Sequence, residues 1–395
     1  MAQPHPHPHL EPVVGDAVVL VHELVRLAVT QRASDIHIEP RHDLLHVRLR
    51  VDGALVDVQP ISLLVAANVV SRVKVLAKMD ISERRLPQDG QIAVELDEGK
   101  VVHLRCSTFP ASQGEKVVLR ILSSQQLVAF DKLGFDAVTQ ARLREVVLRP
   151  QGFVVTSGPT GAGKTSTLYA LMKLIDPRDV NVVTLEDPVE VELYGVTQGQ
   201  VSTRTGFTFA TGLRAILRQD PDVILVGEMR DSETAGIAMQ AALTGHLVLS
   251  TLHTSDTVET IVRLVDLGVE PWIVANALSA VLAQRLVRLV CPHCKQSSKL
   301  ERDVWDGDDV LLTAGSEVVR PAGCDLCMRT GYRGRTGIFE VVELDDELRD
   351  LVKSKAPARA YREIYGRRRI PSLRRAGFEK IAAGLTTVEE VLRVT

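Results

Sequence analysis

The chain has 395 residues, 45% hydrophobic and 25% charged, which suits a soluble globular protein of two or three domains. A formal net charge of −3 supplies no basic field of the kind that marks a nucleic-acid binder. No run approaches the roughly 18 consecutive apolar residues that span a bilayer.

Residues 1–12 alternate His and Pro and lack the apolar core of a signal peptide. Residues 1–15 therefore read as a disordered tail, and the chain is expected in the cytoplasm. Val18, Val21, Val25 and Val29 recur at helical spacing. Strand-like alternation follows in 35–39 and in 47–51, ending at the hairpin dipeptide Asp52-Gly53. Val65, Val69, Val73 and Leu76 predict an amphipathic helix, and 101–109 and 116–122 predict two more strands. Residues 16–125 thus read as an α+β domain with an antiparallel sheet, and 126–150 as a linker ending in a short helix.

From Gly152 the pattern changes to buried apolar strands alternating with helices, at 153–156, 180–185, 223–226 and 247–250. That predicts an α/β core with a parallel sheet covered on both faces, over 151–290. A cysteine-bearing segment at 291–337 and a charged helical extension at 338–395 complete the chain.

Gly158-Pro159-Thr160-Gly161-Ala162-Gly163-Lys164-Thr165 satisfies GxxxxGK[ST], with an apolar strand leading in and a helix from Ser166 leading out. Glycines let successive N–H groups face phosphates, and the helix N-terminus adds positive potential. Lys164 is expected to reach the β- and γ-phosphates of ATP and Thr165 to place its hydroxyl on Mg²⁺.

Two acidic strand ends follow. Glu228 closes the apolar run 223–226 after Gly227, and Glu186 closes 182–185 ahead of Asp187-Pro188. Such acids are expected on strands beside the phosphate loop, with Glu186 orienting the attacking water and Glu228 on the Mg²⁺ side. His246 and His253 bracket another apolar strand, and both are expected near the nucleotide-binding edge of the sheet as γ-phosphate sensors.

Cys291-x-x-Cys294 and Cys324-x-x-Cys327 supply four thiolates, the closed shell of structural Zn²⁺. Two such pairs outside a thioredoxin-like unit, in a reducing compartment, argue against redox chemistry or disulfides. Cys106 reads as a small buried residue in its strand.

Together these residues resemble the ATPase family of type II secretion and type IV pilus assembly. The resemblance rests on 32–40 (RASDIHIEP), the phosphate loop, 184–190 (TLEDPVE), 213–222 (LRAILRQDPD), 227–231 (GEMRD), the 244–253 histidine segment, and the tetracysteine segment running into 331–340. It implies a RecA-like P-loop ATPase core with a PAS-like α+β N-terminal domain and a tetracysteine zinc subdomain. It also implies a homohexameric ring, peripheral at the inner membrane, bound to platform proteins of a secretion or pilus machine, without direct nucleic-acid binding. Family members commonly carry a further N-terminal docking domain, and about 15 residues precede the first helix here.

Charge developing on the γ-phosphate is commonly met by an arginine from a neighbouring subunit. Arg84, Arg85, Arg105 and Arg120 in the N-terminal domain and Arg204 and Arg218 in the core are candidates, and the resemblance favours Arg105 and Arg120. The competing readings are a DNA-processing or conjugation-type ATPase, and a zinc-ribbon nucleic-acid-binding module with a regulatory nucleotide site.

Overall fold

The computed structural model describes residues 12–122, 127–306 and 309–395. The tail expected at residues 1–15 lies largely outside the described residues. The chain divides into two compact units, Met1–Gln125 and Gln126–Thr395.

In the first unit, Asp16 caps helix α1 (Ala17–Thr30) by accepting from Val18 N at 2.7 Å, and α1 buries Val21, Val25 and Ala28. Strands β1 (Ala33–Pro40), β2 (Leu44–Val51), β3 (Ala54–Asp57) and β4 (Ile61–Ser62) lead to helix α2 (Leu63–Leu76). Then come β5 (Gln88–Glu95), β6 (Val101–Ala111) and β7 (Gly114–Leu122). All pair antiparallel in the order β3-β2-β1-β7-β6-β5, with β4 on β2. Asp52 and Gly53 take φ of 49° and 85°, the positive values that a tight hairpin turn requires.

Asp35 and Glu39 sit inward on β1, contrary to a polar-out alternation, and both are buried. Cationic partners make this tolerable. Arg120 donates to Asp35 at 2.9 Å, while Arg48 and Lys116 each reach Glu39 at 2.6 Å. Burial opposes the Glu39 charge, but Arg48 and Lys116 outweigh it and hold that carboxyl at about 2.

The second unit begins with residues 127–150, which pack into the core rather than behaving as a bare linker. Phe130, Leu133 and Phe135 are buried, as are Leu143, Val146 and Val147 of α3 (Ala137–Val147). The Phe135 ring stacks on Phe339 with centroids 3.8 Å apart. Next come β8 (Gly152–Ser157), α4 (Lys164–Met172), β9 (Val182–Glu186), β10 (Thr197–Gln200) and α5 (Phe209–Ile216). They are followed by β11 (Val223–Val226), α6 (Ser232–Leu243), β12 (Leu247–Leu252), α7 (Thr257–Asp266), α8 (Pro271–Ala277) and β13 (Leu278–Val290).

The short strands β14 (Lys295–Lys299), β15 (Val304–Asp306), β16 (Asp309–Leu312) and β17 (Glu317–Pro321) form two small antiparallel pairs, β14 with β17 and β15 with β16. Strand β18 (Tyr332–Glu343) then rejoins the main sheet, and helices α9 (Asp346–Lys353), α10 (Ala358–Arg368), α11 (Leu373–Ala382) and α12 (Val388–Val394) finish the chain.

The main sheet runs β10-β9-β11-β12-β8-β13-β18, parallel except for the β13–β18 pair. Every residue of β8, β9, β11 and β12 is buried, the signature of a parallel sheet covered on both faces. Phe153 and Val155 point into the core shared with α5–α10, and Val154 into the core shared with α3 and α4. Because β18 completes this sheet, residues 332–337 belong to the core and not to a separate cysteine subdomain.

Candidate nucleotide-binding and metal sites

Strand β8 ends at Ser157, and the chain turns through Gly158–Gly163 into α4. Gly163 caps that helix at φ 87°, and Gly158 sits at φ 147°. A Cβ on Gly158 would stand 2.6 Å from the Gln284 carbonyl oxygen of neighbouring β13, so only glycine lets the loop lie this close to the sheet. The Gln284 amide donates to the Ala162 carbonyl at 2.6 Å, fixing the loop from the side. Pro159, Thr160 and Gly161 form its exposed tip, and Thr165 is exposed at the start of α4, with Ser166 half-buried.

The Lys164 ammonium folds back onto its own loop. It donates to the carbonyls of Gly158 at 2.7 Å and Pro159 at 3.2 Å, and lies 3.5 Å from His253 Nδ1. Burial brings its pKa down to about 8, with the Glu228 charge working against that and Arg285 reinforcing it.

Glu228 follows β11 on a turn held at both sides. Gly227 N donates to Leu185 O at 2.8 Å, and Met229 N to Thr251 O at 3.2 Å. Its carboxylate pairs with Arg230 at 2.5 Å and faces His253 Nε2 at 3.6 Å. Strand β12 separates β11 from β8. His253, which follows β12, lies between Lys164 and Glu228.

Glu186 closes β9 and is buried at 3% exposure. Its carboxylate accepts from the Tyr169 hydroxyl of α4, from Thr184 Oγ1 at 2.5 Å and from Gln198 Nε2 at 3.1 Å. With three donors on two oxygens, it stands as an anchor between β9, β10 and α4.

The two histidines lie at opposite ends of β12. Leu247 pairs with Gly152 at the start of β8, and Leu252 with Ser157 at its end. At about 3.3 Å per residue, His246 stands on the order of 20 Å along the sheet from the phosphate loop. Its Nδ1 lies 2.9 Å from the Ala241 carbonyl, a contact within the α6–β12 connection. Only His253 meets the expectation of a place at the phosphate edge, because a strand carries its two ends to opposite edges of the sheet.

Among the arginine candidates, Arg120 is committed to Asp35, and Arg105 faces it in register from β6 with its side chain exposed. Arg204 is exposed in the turn Thr203–Thr205, and Arg218 donates back to the Arg214 carbonyl at 2.9 Å. Arg230 and Arg285 were not singled out from the sequence, yet both lie at the phosphate edge. The available signal was a Gln284-Arg285 pair interrupting the apolar run of β13.

The four cysteines converge, with all Sγ atoms within 4.8 Å of one another. Cys291–Cys324, Cys294–Cys327 and Cys324–Cys327 stand 3.9, 3.8 and 3.7 Å apart. Tetrahedral Zn²⁺ with bonds of about 2.3 Å places its sulfurs about 3.8 Å apart, so the quartet fits that ion. Backbone N–H groups of Gly323, Cys324 and Gly331 point at Cys294 or Cys327 sulfur at 3.2–3.3 Å. Burial pushes the Cys294 thiol up to about 11, whereas at Cys327 the Cys324 and Gly331 amides outweigh burial and bring the thiol down to about 7.

A buried parallel sheet, a glycine loop capping a helix, and a lysine, histidine and glutamate meeting at its mouth define a P-loop ATPase. The chain belongs to the Type II/IV secretion system protein family, which matches residues 14–393. It is 45% identical over 379 residues to the type II secretion system ATPase E of Vibrio cholerae, covering 96% of this chain and 75% of that protein. Identity is 45% over 377 residues to the type II secretion system protein E of Aeromonas hydrophila, covering 95% of this chain and 75% of the relative. It is 44% over 380 residues to the type IV pilus assembly ATPase TfpB of Acinetobacter baylyi, covering 95% and 65%. The fold is shared with the Legionella pneumophila ATPase DotB, at TM-score 0.69 and 20% identity, covering 97% of each chain. It is also shared with the pilus retraction motor PilT bound to ADP, at TM-score 0.62 and 23% identity, covering 95% and 96%. No helix among the described residues is long and apolar enough to cross a membrane.

Proposed function

We propose that the chain is the ATP-driven motor of a type II secretion or type IV pilus assembly machine, acting as a homohexamer. In this reading it works peripherally at the cytoplasmic face of the inner membrane, against that machine's platform proteins, and does not bind nucleic acid directly. The observation that carries it is the convergence of Lys164, His253 and Glu228 at the mouth of the phosphate loop, in a chain close in sequence to ATPases of both machines.

ATP phosphates would lie against the loop 158–166 and its backbone N–H groups, which every residue but Pro159 supplies, with Lys164 leaving its loop carbonyls for the β- and γ-oxygens. Thr165 and Glu228 would hold Mg²⁺, which neutralises charge on the terminal phosphates. His253, between Lys164 and Glu228, would face the γ-phosphate. Glu186 would orient the attacking water after releasing one of its three donors. Water oxygen bonds to the γ-phosphorus as the bond to the β,γ-bridging oxygen breaks, giving ADP and phosphate. Cys291, Cys294, Cys324 and Cys327 would hold one structural Zn²⁺ with no open position. Exposed Arg105 is the first candidate to act across a subunit boundary, ahead of Arg120, Arg204 and Arg218.

Mixing tests the shared-site motor. Activity per chain is expected to rise with protein concentration as rings form. Lys164→Ala and Arg105→Ala, each inactive alone, should regain turnover when mixed, since some interfaces then join an intact loop to an intact arginine. Full activity from a verified monomer overturns the shared site. In the same assay, Glu186→Gln and Glu228→Gln should retain nucleotide and hydrolyse it slowly. A variant that loses binding while keeping turnover per bound ATP would reverse the role given to that glutamate.

A further inference from the structure

Beside the phosphate loop, β13 carries Gln284 and Arg285 with side chains on opposite faces of the strand. Gln284 is 1% exposed and grips the loop through the Ala162 carbonyl. Arg285 spans two segments with the two ends of one guanidinium. Nη1 donates to the Gln284 carbonyl at 2.8 Å, and Nη2 to the Ser255 carbonyl at 2.8 Å. A Cβ on Gly158 would lie 3.3 Å from the same Nη1, so this guanidinium borders the first glycine of the loop.

Ser255 lies two residues beyond His253, on the connection between β12 and α7. That connection has no sheet pairing of its own once β12 ends at Leu252. Its placement relative to the phosphate loop therefore depends on side chains. Burial lowers the Arg285 pKa from its ordinary value, and the nearby charges of Asp256, Glu340 and Glu259 offset that only in part. A planar fork with fixed N–H directions suits such a two-ended span, since both bonds cost a single ordered side chain.

We propose that Arg285 is a positioning residue for hydrolysis, holding the His253 segment in register with the phosphate loop so that the imidazole faces the terminal phosphate. This rests on the reading of His253 as the γ-phosphate contact. Arg285 acts through another residue and need not touch nucleotide. Misplacement by about 1 Å can cost on the order of 10²-fold in rate, whereas ADP, which lacks the γ-phosphate, should scarcely sense it.

The test is a double-mutant cycle in the full-length chain, with kcat and KM for ATP, the dissociation constant for ADP and zinc content measured for each variant. Arg285→Gln and His253→Ala should each lower kcat about tenfold or more and change ADP affinity less than about threefold. The double variant should be no slower than the slower single, because both changes remove the same placed imidazole. Arg285→Lys keeps the charge without the fork and should recover little of the loss.

Losses that multiply in the double variant, wild-type kcat in Arg285→Lys, or wild-type kcat in either His253→Ala or Arg285→Gln overturn the proposal. Zinc content and ADP binding identify a misfolded variant, and loss of both in Arg285→Gln and Arg285→Lys alike makes the residue structural and overturns it too. A wild-type chain that does not hydrolyse ATP refutes the functional reading itself. An active wild type with uncoupled residues refutes only the positioning role.

Discussion

Lys164 and His253 stand 3.5 Å apart, ammonium to Nδ1, and the far nitrogen of the same imidazole faces the Glu228 carboxylate at 3.6 Å. Residues from the first turn of α4, the end of β12 and the turn after β11 thus share one small volume. The arrangement gives each a different consequence when altered.

Lys164 carries a pH dependence. Burial holds its pKa at about 8 in this structure, and phosphates beside the ammonium would favour the charged form and raise it. Below pH 8 the amine is already protonated, so nucleotide affinity should be flat there. Above pH 8, binding must take up a proton, and affinity should fall by up to about tenfold per pH unit until the pKa of the complex is reached. Calorimetric titration of ADP from pH 7 to 9.5 in buffers of different ionisation enthalpy reads both the slope and the proton. Lys164→Ala should abolish turnover and erase the slope. A slope that survives in that variant assigns the titration elsewhere.

The histidines should separate cleanly. His253→Ala removes a group within reach of Lys164 and Glu228 and should slow hydrolysis about tenfold or more. His246→Ala, at the other end of β12, should keep kcat within about twofold and cost about 1 kcal/mol of stability through its contact with the Ala241 carbonyl. Equal kinetic losses in the two variants would contradict the geometry.

For the cysteine quartet, elemental analysis of protein purified without chelators should find one zinc per chain. Chelation should loosen the β14–β17 region while leaving β13 and β18 protected in hydrogen exchange. Those strands share a long antiparallel ladder from Ala280–Glu343 to Val290–Tyr332, independent of the metal. Loss of protection in β8 on chelation would show that the metal reaches farther than this.

Glu390 offers a stability test away from nucleotide. Its side chain is 1% exposed and pairs with Arg288 at 2.7 Å and Arg393 at 2.6 Å, tying α12 to β13. Burial opposes its charge, but the two arginines prevail and hold its pKa at about 2. A carboxylate depressed in the folded state stabilises above the unfolded value of about 4.3, and that contribution is lost as pH falls toward 2. Glu390→Gln should cost about 3 kcal/mol at pH 7, and the difference from wild type should shrink steadily below pH 4. Denaturant midpoints at pH 7 and pH 3 check both statements.

The amino-acid sequence by itself determined what depends on short spacing. Gly158, Gly163, Lys164 and Thr165 form a phosphate loop because a few neighbouring residues set backbone freedom and helix start. The two CxxC pairs and the Asp52-Gly53 turn were legible for the same reason, and apolar runs marked β8, β9, β11 and β12. The tertiary structure decided strand order, strand direction and the partners of each charge. Pairing between distant segments put β12 between β8 and β11, sent His246 to the far end and brought His253 to Lys164. It also supplied Glu186 with Tyr169, Thr184 and Gln198, committed Arg120 to Asp35, and set Arg285 across the phosphate edge from Ser255. No periodicity along the chain encodes these meetings, because they arise when buried faces more than about a dozen residues apart find one packing that satisfies their polar groups.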